Sequence, residues 1–160
     1  MKLKELRNMN CKKILIITHS SLNGLNERQA TECANVIGFG QFDITRSSNP
    51  LEFGKHHLDC DKIIMIVPEW NTSFPWTFKK MIDDSGYPSY FKGKEILLMG
   101  TSNTTFGNIV GINHLHNILE WIGAKVCGKV CVPNIDKKFA NNDIQVDERL
   151  NERILKFVNC

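Results

Sequence analysis

Three short segments of this 160-residue chain gather side chains that can do chemistry: THSSLNGLN at 18–26, VPEWNTSFPWTF at 67–78 and GTSNTTFGN at 100–108. The first offers Thr18, Ser20, Ser21 and Asn26 as hydrogen-bonding groups, with Gly24 for tight backbone curvature. Ahead of a helix, such a loop suits a phosphate, because a helix N-terminus presents unpaired N–H groups and a partial positive charge. A hydrophilic loop leading into a capped helix is the alternative. The second segment sets Pro68, Glu69, Trp70, Asn71 and Thr72 at the end of an aliphatic run. The third sets Thr101, Ser102, Asn103, Phe106 and Gly107 after another. These last two loops together suit a flat guest with a polar edge.

Much chemistry is excluded. The first loop lacks the Gly-Lys-Ser/Thr of a nucleotide phosphate loop and the GxGxxG of a dinucleotide crevice. A receiver domain needs acids where Thr18 and His19 stand, and a low-molecular-weight phosphatase needs a cysteine where none lies between Cys11 and Cys33. No triad, HExxH pair or carboxylate dyad stands out, so no catalytic side chain is expected. No metal site is expected either. His114 and His116, two apart on a helix, diverge, and so do the adjacent His56 and His57. Cys127 and Cys131 read as small apolar side chains.

The balance of 20 basic against 17 acidic residues, net +3, is scattered and forms no stripe for nucleic acid. Six cysteines without framework spacing read as free thiols in a cytoplasmic protein. The apolar run at 14–17 is too short for a membrane span or a signal peptide. With 42% apolar and 23% charged residues, the chain reads as one globular domain over 1–160, of which 1–11 is an N-terminal extension.

The elements that must position the three loops follow from periodicity. The runs ILII (14–17), IIMIV (63–67) and ILLM (96–99) lack alternation, as parallel strands covered on both faces do. AKVCGKVCV (124–132) reads as a last or edge strand, and a weak strand fits at 41–45. Helices are expected at 26–37 behind Asn26, and from Pro75 to about residue 83. Another spans 108–122 with Ile109, Ile112, Leu115, Ile118, Leu119 and Ile122 on one stripe before Gly123. A final helix fits at 146–158, and only a short one fits at 50–58. Strand–helix alternation with short connections implies an α/β fold, a flavodoxin-like three-layer sandwich with a five-stranded parallel sheet and helices on both faces.

The stretch VPEWNTSFPWTFKKMID resembles the Pro-Glu-Tyr-Asn-Gly-Ser-hydrophobic-Pro…Lys-Asn-Ala-Ile-Asp segment of the NAD(P)H-dependent FMN reductase family. KGKEILLMGTSNTTFGNIVGINHLHNILEWIGAKV resembles the stretch that follows it in that family: a strand, Ser-Thr-Ser, a glycine-rich turn and a helix ending Leu-Gly-Ala. The resemblance runs over 12–132 and is strong over 62–126. There are departures. His19-Ser20-Ser21-Leu22 lacks the family's first-loop arginine, Trp70 replaces a tyrosine, and Thr72 and Asn108 each replace a glycine.

The resemblance implies FMN as cofactor, with NADPH or NADH as electron donor and a small-molecule acceptor: a quinone, an azo compound, a metal ion or free flavin. It implies that Ser20 and Asn26, with neighbouring amides, hold the phosphate. Pro68, Glu69, Trp70, Asn71 and Thr72 would line one ring edge through main-chain N–H groups. Thr101, Ser102, Asn103, Phe106 and Gly107 would close the opposite side. Glu69 is expected to cap the turn after it rather than act as a general acid, and His19 either helps to bind the anion or faces solvent. Seven of the chain's fourteen aromatic residues lie within 70–91. With the family, that surplus implies a homodimer. The readings held against the enzyme are an FMN-binding electron carrier and a flavodoxin-like module without redox activity.

Overall fold

In the computed structural model, residues 14–19, 40–43, 60–135 and 148–159 are described. Five strands, β1 (Ile14–Thr18), β2 (Gly40–Asp43), β3 (Lys62–Pro68), β4 (Glu95–Thr101) and β5 (Lys125–Val132), form one sheet in the order β2-β1-β3-β4-β5. All neighbours run parallel. β1 and β3 are buried at every position and β4 at all but its first, which is why their sequences carry no polar alternation. The helices expected at 26–37 and 50–58 lie outside the described residues.

Alternation along the strands divides the interior in two. Leu15, Ile17, Ile63, Met65, Val67, Ile96 and Leu98 face α1 (Trp76–Asp83) and α2 (Ile109–Trp121), where Phe78, Met81, Ile112, Leu115 and Leu119 are buried. Ile14, Ile16, Ile64, Ile66, Leu97, Met99, Val130 and Val132 face α3 (Glu148–Asn159) through Ile154, Phe157 and Val158. Each such side chain contributes about 1.5–3 kcal/mol of burial. The result is three layers.

Boundaries differ from expectation in small, explicable ways. Pro75 is the N-cap of α1 rather than its first residue, because its ψ of 141° keeps it extended. Ile109, expected on the buried stripe of α2, is exposed at the first helical position, while Ile112, Leu115 and Leu119 carry the contact. Gly123, at φ +86°, follows the end of α2 and supplies the left-handed turn that a helix stop favours. In β5 the pairing shifts so that Val126 and Gly128 oppose Ile96 and Leu97, leaving Cys127 as an extra, exposed residue in a bulge.

The charge at the start of β3 is unusual. Lys62 is 1% exposed, and its Nζ donates to the carbonyls of Phe157 (2.6 Å) and Val158 (3.3 Å). The last carbonyls of a helix lack partners within it and carry partial negative charge, so the ammonium caps α3. The Phe157 ring, 5.2 Å away, and Glu95 Oε2 at 3.8 Å complete its surroundings. This anchor sits at the amino ends of the strands, opposite the loops of interest.

Candidate functional site

In the order β2-β1-β3-β4-β5, the chain leaves β1 toward one side of the sheet and β3 toward the other. The crevice beyond the carboxyl ends of β1 and β3 is where ligands of open α/β sheets bind. The three polar segments start from the carboxyl ends of β1, β3 and β4, on this same edge of the sheet.

The second loop is a tight turn. Glu69 extends the ladder by donating its N–H to Thr101 O at 2.9 Å. Trp70 and Ser73 then exchange both main-chain bonds, at 3.0 and 2.8 Å, as an isolated antiparallel bridge. The two residues between, Asn71 at φ +47° and Thr72 at φ +64°, have the positive φ pair of a type I′ turn. Asparagine tolerates this region; a β-branched threonine is an outlier there. The amides of Glu69, Trp70 and Ser73 are committed within the protein. Those of Asn71 and Thr72 have no partner among the described residues, and both residues are exposed.

The turn rests on α2. A Cβ on Gly111 would lie 2.6 Å from the carbonyl carbon and oxygen of Ser73, so only glycine lets the turn sit so close. Ser73 Oγ also pairs with His114 Nδ1 at 3.2 Å. Asn108 joins helix and strand: at φ +62° it caps α2 by accepting from Gly111 N–H (3.1 Å) and donates Nδ2 to Val67 O (3.1 Å), at 2% exposure. At this left-handed position, where the resemblance has a glycine, its side chain makes two bonds that a glycine could not. Sequence reasoning placed 108 at the start of the helix without seeing this role, although asparagine just before an apolar period is an N-cap signal.

The third loop folds back on the sheet. Gly107, at φ +57°, presses against the backbone of Val132 and Pro133, which a Cβ would meet at 2.7–2.9 Å. Ser102 N–H donates to Val132 O, Ile135 N–H to Ser102 O, and Asn134 N–H to Thr104 O, each at 3.2 Å. Thr104 also donates its N–H to Ser102 Oγ (2.9 Å) and its hydroxyl to Glu69 Oε2 (3.1 Å). Glu69 therefore does not cap its own turn; its carboxylate reaches across to the neighbouring loop.

Of the residues singled out from sequence, Pro68, Glu69, Trp70, Asn71, Thr72, Thr101, Ser102, Asn103, Phe106 and Gly107 converge on the carboxyl ends of β3 and β4. Thr101, Ser102 and Gly107 are buried, whereas Phe106 is 73% exposed. His19 is buried rather than solvent-facing, its ring edge-on to Trp70 (5.5 Å between centroids) and stacked on Phe78 (6.4 Å). It thereby packs the first loop against the second and against α1. Ser20, Ser21 and Asn26 lie outside the described residues. Thr104, Asn108 and Gly111 were missed; for Gly111 the signal was a glycine inside a helical pattern. Among the described residues no group of His, Cys, Asp or Glu is arranged to hold a metal ion, and no helix is long and apolar enough to cross a membrane.

The family model described as NADPH-dependent FMN reductase matches residues 13–137. Among solved structures, the flavoenzyme NAD(P)H:(acceptor) oxidoreductase FerB from Paracoccus denitrificans is 20% identical, with a TM-score of 0.70 over 92% of this chain and 96% of its own. An NADH:FMN oxidoreductase, EMOB, in apo form is 17% identical, with a TM-score of 0.71 over 92% and 89%. The Fusobacterium nucleatum flavodoxin bound to flavin mononucleotide is 15% identical, with a TM-score of 0.59 over 92% and 95%. At these identities the likeness establishes the flavodoxin-like fold. No curated protein matches the chain.

Proposed function

The chain belongs to the NADPH-dependent FMN reductase family, and from that premise we propose that it is an NAD(P)H oxidoreductase that holds FMN at the crevice between β1 and β3. FMN and a nicotinamide donor are the family's cofactors, and the enzyme is an oxidoreductase. The redox chemistry is that of FMN: hydride taken from NADPH or NADH, and electrons passed on to a quinone, azo compound, metal ion or free flavin.

One observation carries the reading. The adjacent N–H groups of Asn71 and Thr72 crest the turn at the carboxyl end of β3, where both residues are exposed and neither amide has a partner among the described residues. The pyrimidine edge of the flavin presents carbonyl oxygens that accept such donors. The donor set fits. Glu69 and Trp70, expected to contribute amides, instead hold the turn in shape. Pro68 has no N–H and ends the strand. Phe106 and Trp70 supply exposed rings at the rim, and Thr101, Ser102 and Gly107 give the third loop its shape. Ser20, Ser21 and Asn26 remain the proposed phosphate ligands. No side chain is assigned a catalytic proton transfer.

A homodimer is part of the proposal. Trp76 on α1 and Trp121 on α2 are 62% and 90% exposed, and Val110 on α2 is exposed as well. These two helices cover the same face of the sheet, and water-exposed tryptophans on one face favour a partner surface. A cytoplasmic location is supported by the free thiols of Cys127 and Cys131.

The test is the visible spectrum of the purified protein. Flavin bands bleached by NADPH or NADH are expected, with quenching of FMN fluorescence on titration. Bands that neither nucleotide bleaches would leave an FMN-binding carrier, and absence of quenching would refute both. Light scattering at a single protomer mass would refute the dimer.

A further inference from the structure

The two loops that would hold the ring are joined by an ordered chain of hydroxyl groups. Thr104 donates its single hydroxyl proton to Glu69 Oε2 at 3.1 Å. The contact between Thr104 Oγ1 and Ser102 Oγ, 2.8 Å, must then run the other way, with Ser102 as donor. The Thr104 N–H closes the cycle on Ser102 Oγ at 2.9 Å. Every proton in the chain points toward the carboxylate, the arrangement that strengthens a bond to an ionised acceptor.

The two ends of this chain are held by different contacts. The third loop is fixed by main-chain bonds from Ser102, Asn134 and Ile135, which tie it to the exit of β5. The second loop is seated on α2 at its far side, through Ser73, while on the side of Glu69 its last tie to the sheet is the ladder bond from Glu69 N–H to Thr101 O, and its crest at Asn71 and Thr72 is exposed. Glu69 stands at the root of that projecting turn. We propose that Glu69 is a positioning residue: through Thr104 and Ser102 its carboxylate sets the spacing between the two loops that receive FMN. This role rests on the FMN reading above. It differs from a direct action of the carboxylate's charge on the ring, because it runs through the Thr104 hydroxyl.

A double-mutant cycle on the full chain decides it, read as the FMN dissociation constant from fluorescence quenching. Glu69→Ala and Thr104→Val should each weaken binding about tenfold, the usual cost of one charge-assisted bond. The double variant should be no weaker than the weaker single. Glu69→Gln and Thr104→Ser, which keep an acceptor and a donor, should restore affinity to within about threefold of wild type. A double variant whose loss is the product of the two single losses overturns the proposal, as does a Glu69→Gln as weak as Glu69→Ala. Wild-type protein that fails to quench FMN overturns the cofactor reading itself. Quenching with additive variants overturns only the positioning role.

Discussion

Replacing Thr72 with glycine should make the protein more stable, although it removes atoms and adds no contact. Thr72 sits at φ +64° in the 70–73 turn. In the left-handed region an L-residue brings its Cβ against the following carbonyl, at a cost of about 1–2 kcal/mol, and β-branching allows little relief. Glycine removes that strain but gains freedom in the unfolded chain, which offsets about 0.5–1 kcal/mol. The side chain of Thr72 is exposed and forms no hydrogen bond among the described residues, so nothing else of weight is lost. The net gain is about 0.5–1 kcal/mol. For a chain of this size that raises the melting temperature by about 1–4 °C. Urea unfolding of apoprotein should show a higher midpoint with unchanged slope, which distinguishes stability from a change in compactness. Asn71→Gly is the control: asparagine already tolerates its φ of +47°, so the same change there should stabilise less or destabilise. If Thr72→Gly lowers the midpoint, or Asn71→Gly raises it more, the strain assigned to Thr72 is wrong.

Gly111→Ala puts a methyl group 2.2 Å from Asn108 Oδ1 and 2.6 Å from the Ser73 backbone. It should cost about 1–3 kcal/mol in urea melts and displace the turn enough to weaken FMN quenching at least about tenfold. Lys62→Ala leaves the carbonyls of Phe157 and Val158 without their buried donor and opens a cavity. A loss of about 2–4 kcal/mol is expected, with hydrogen exchange accelerated in α3 before the sheet; uniform exchange would argue against the cap. The Cys127 thiol is pushed above its ordinary range by partial burial and then by the Glu95 carboxylate. A raised value means less thiolate at pH 8, so iodoacetamide should alkylate this exposed cysteine more slowly than free cysteine, the gap narrowing as pH rises. Alkylation at the free-cysteine rate would contradict that environment.

The sheet was legible because buried parallel strands write themselves as aliphatic runs, and 14–17, 63–67 and 96–99 are such runs. The stripe of α2 and its stop at Gly123 were legible for the same local reason. What escaped depends on contacts between distant residues. Nothing near Lys62 in sequence announces helix carbonyls 95 and 96 residues away, and a lysine at a strand start reads as solvated. Glu69 gave no sign that its partner was Thr104, 35 residues on, so a local cap was the natural expectation. Asn108 looked like a lost glycine, whereas it supplies the left-handed backbone and two further bonds. The amides of 69–72 were treated alike, because only the bond from Glu69 N–H to Thr101 O and the bridge of Trp70 and Ser73 separate the committed ones from those without a partner among the described residues.

The open donors of this turn are peptide groups, and that has a consequence for anyone who would redesign the protein. A grip made of backbone does not care which side chains decorate it, so long as the turn keeps its φ angles and its seat on Gly111. Trp70, Asn71 and Phe106 all reach the surface around that crest. If those donors hold the flavin as proposed, a combinatorial library at Trp70 and Phe106 can explore new electron acceptors while Asn71 keeps the turn, and screening can be confined to the rim.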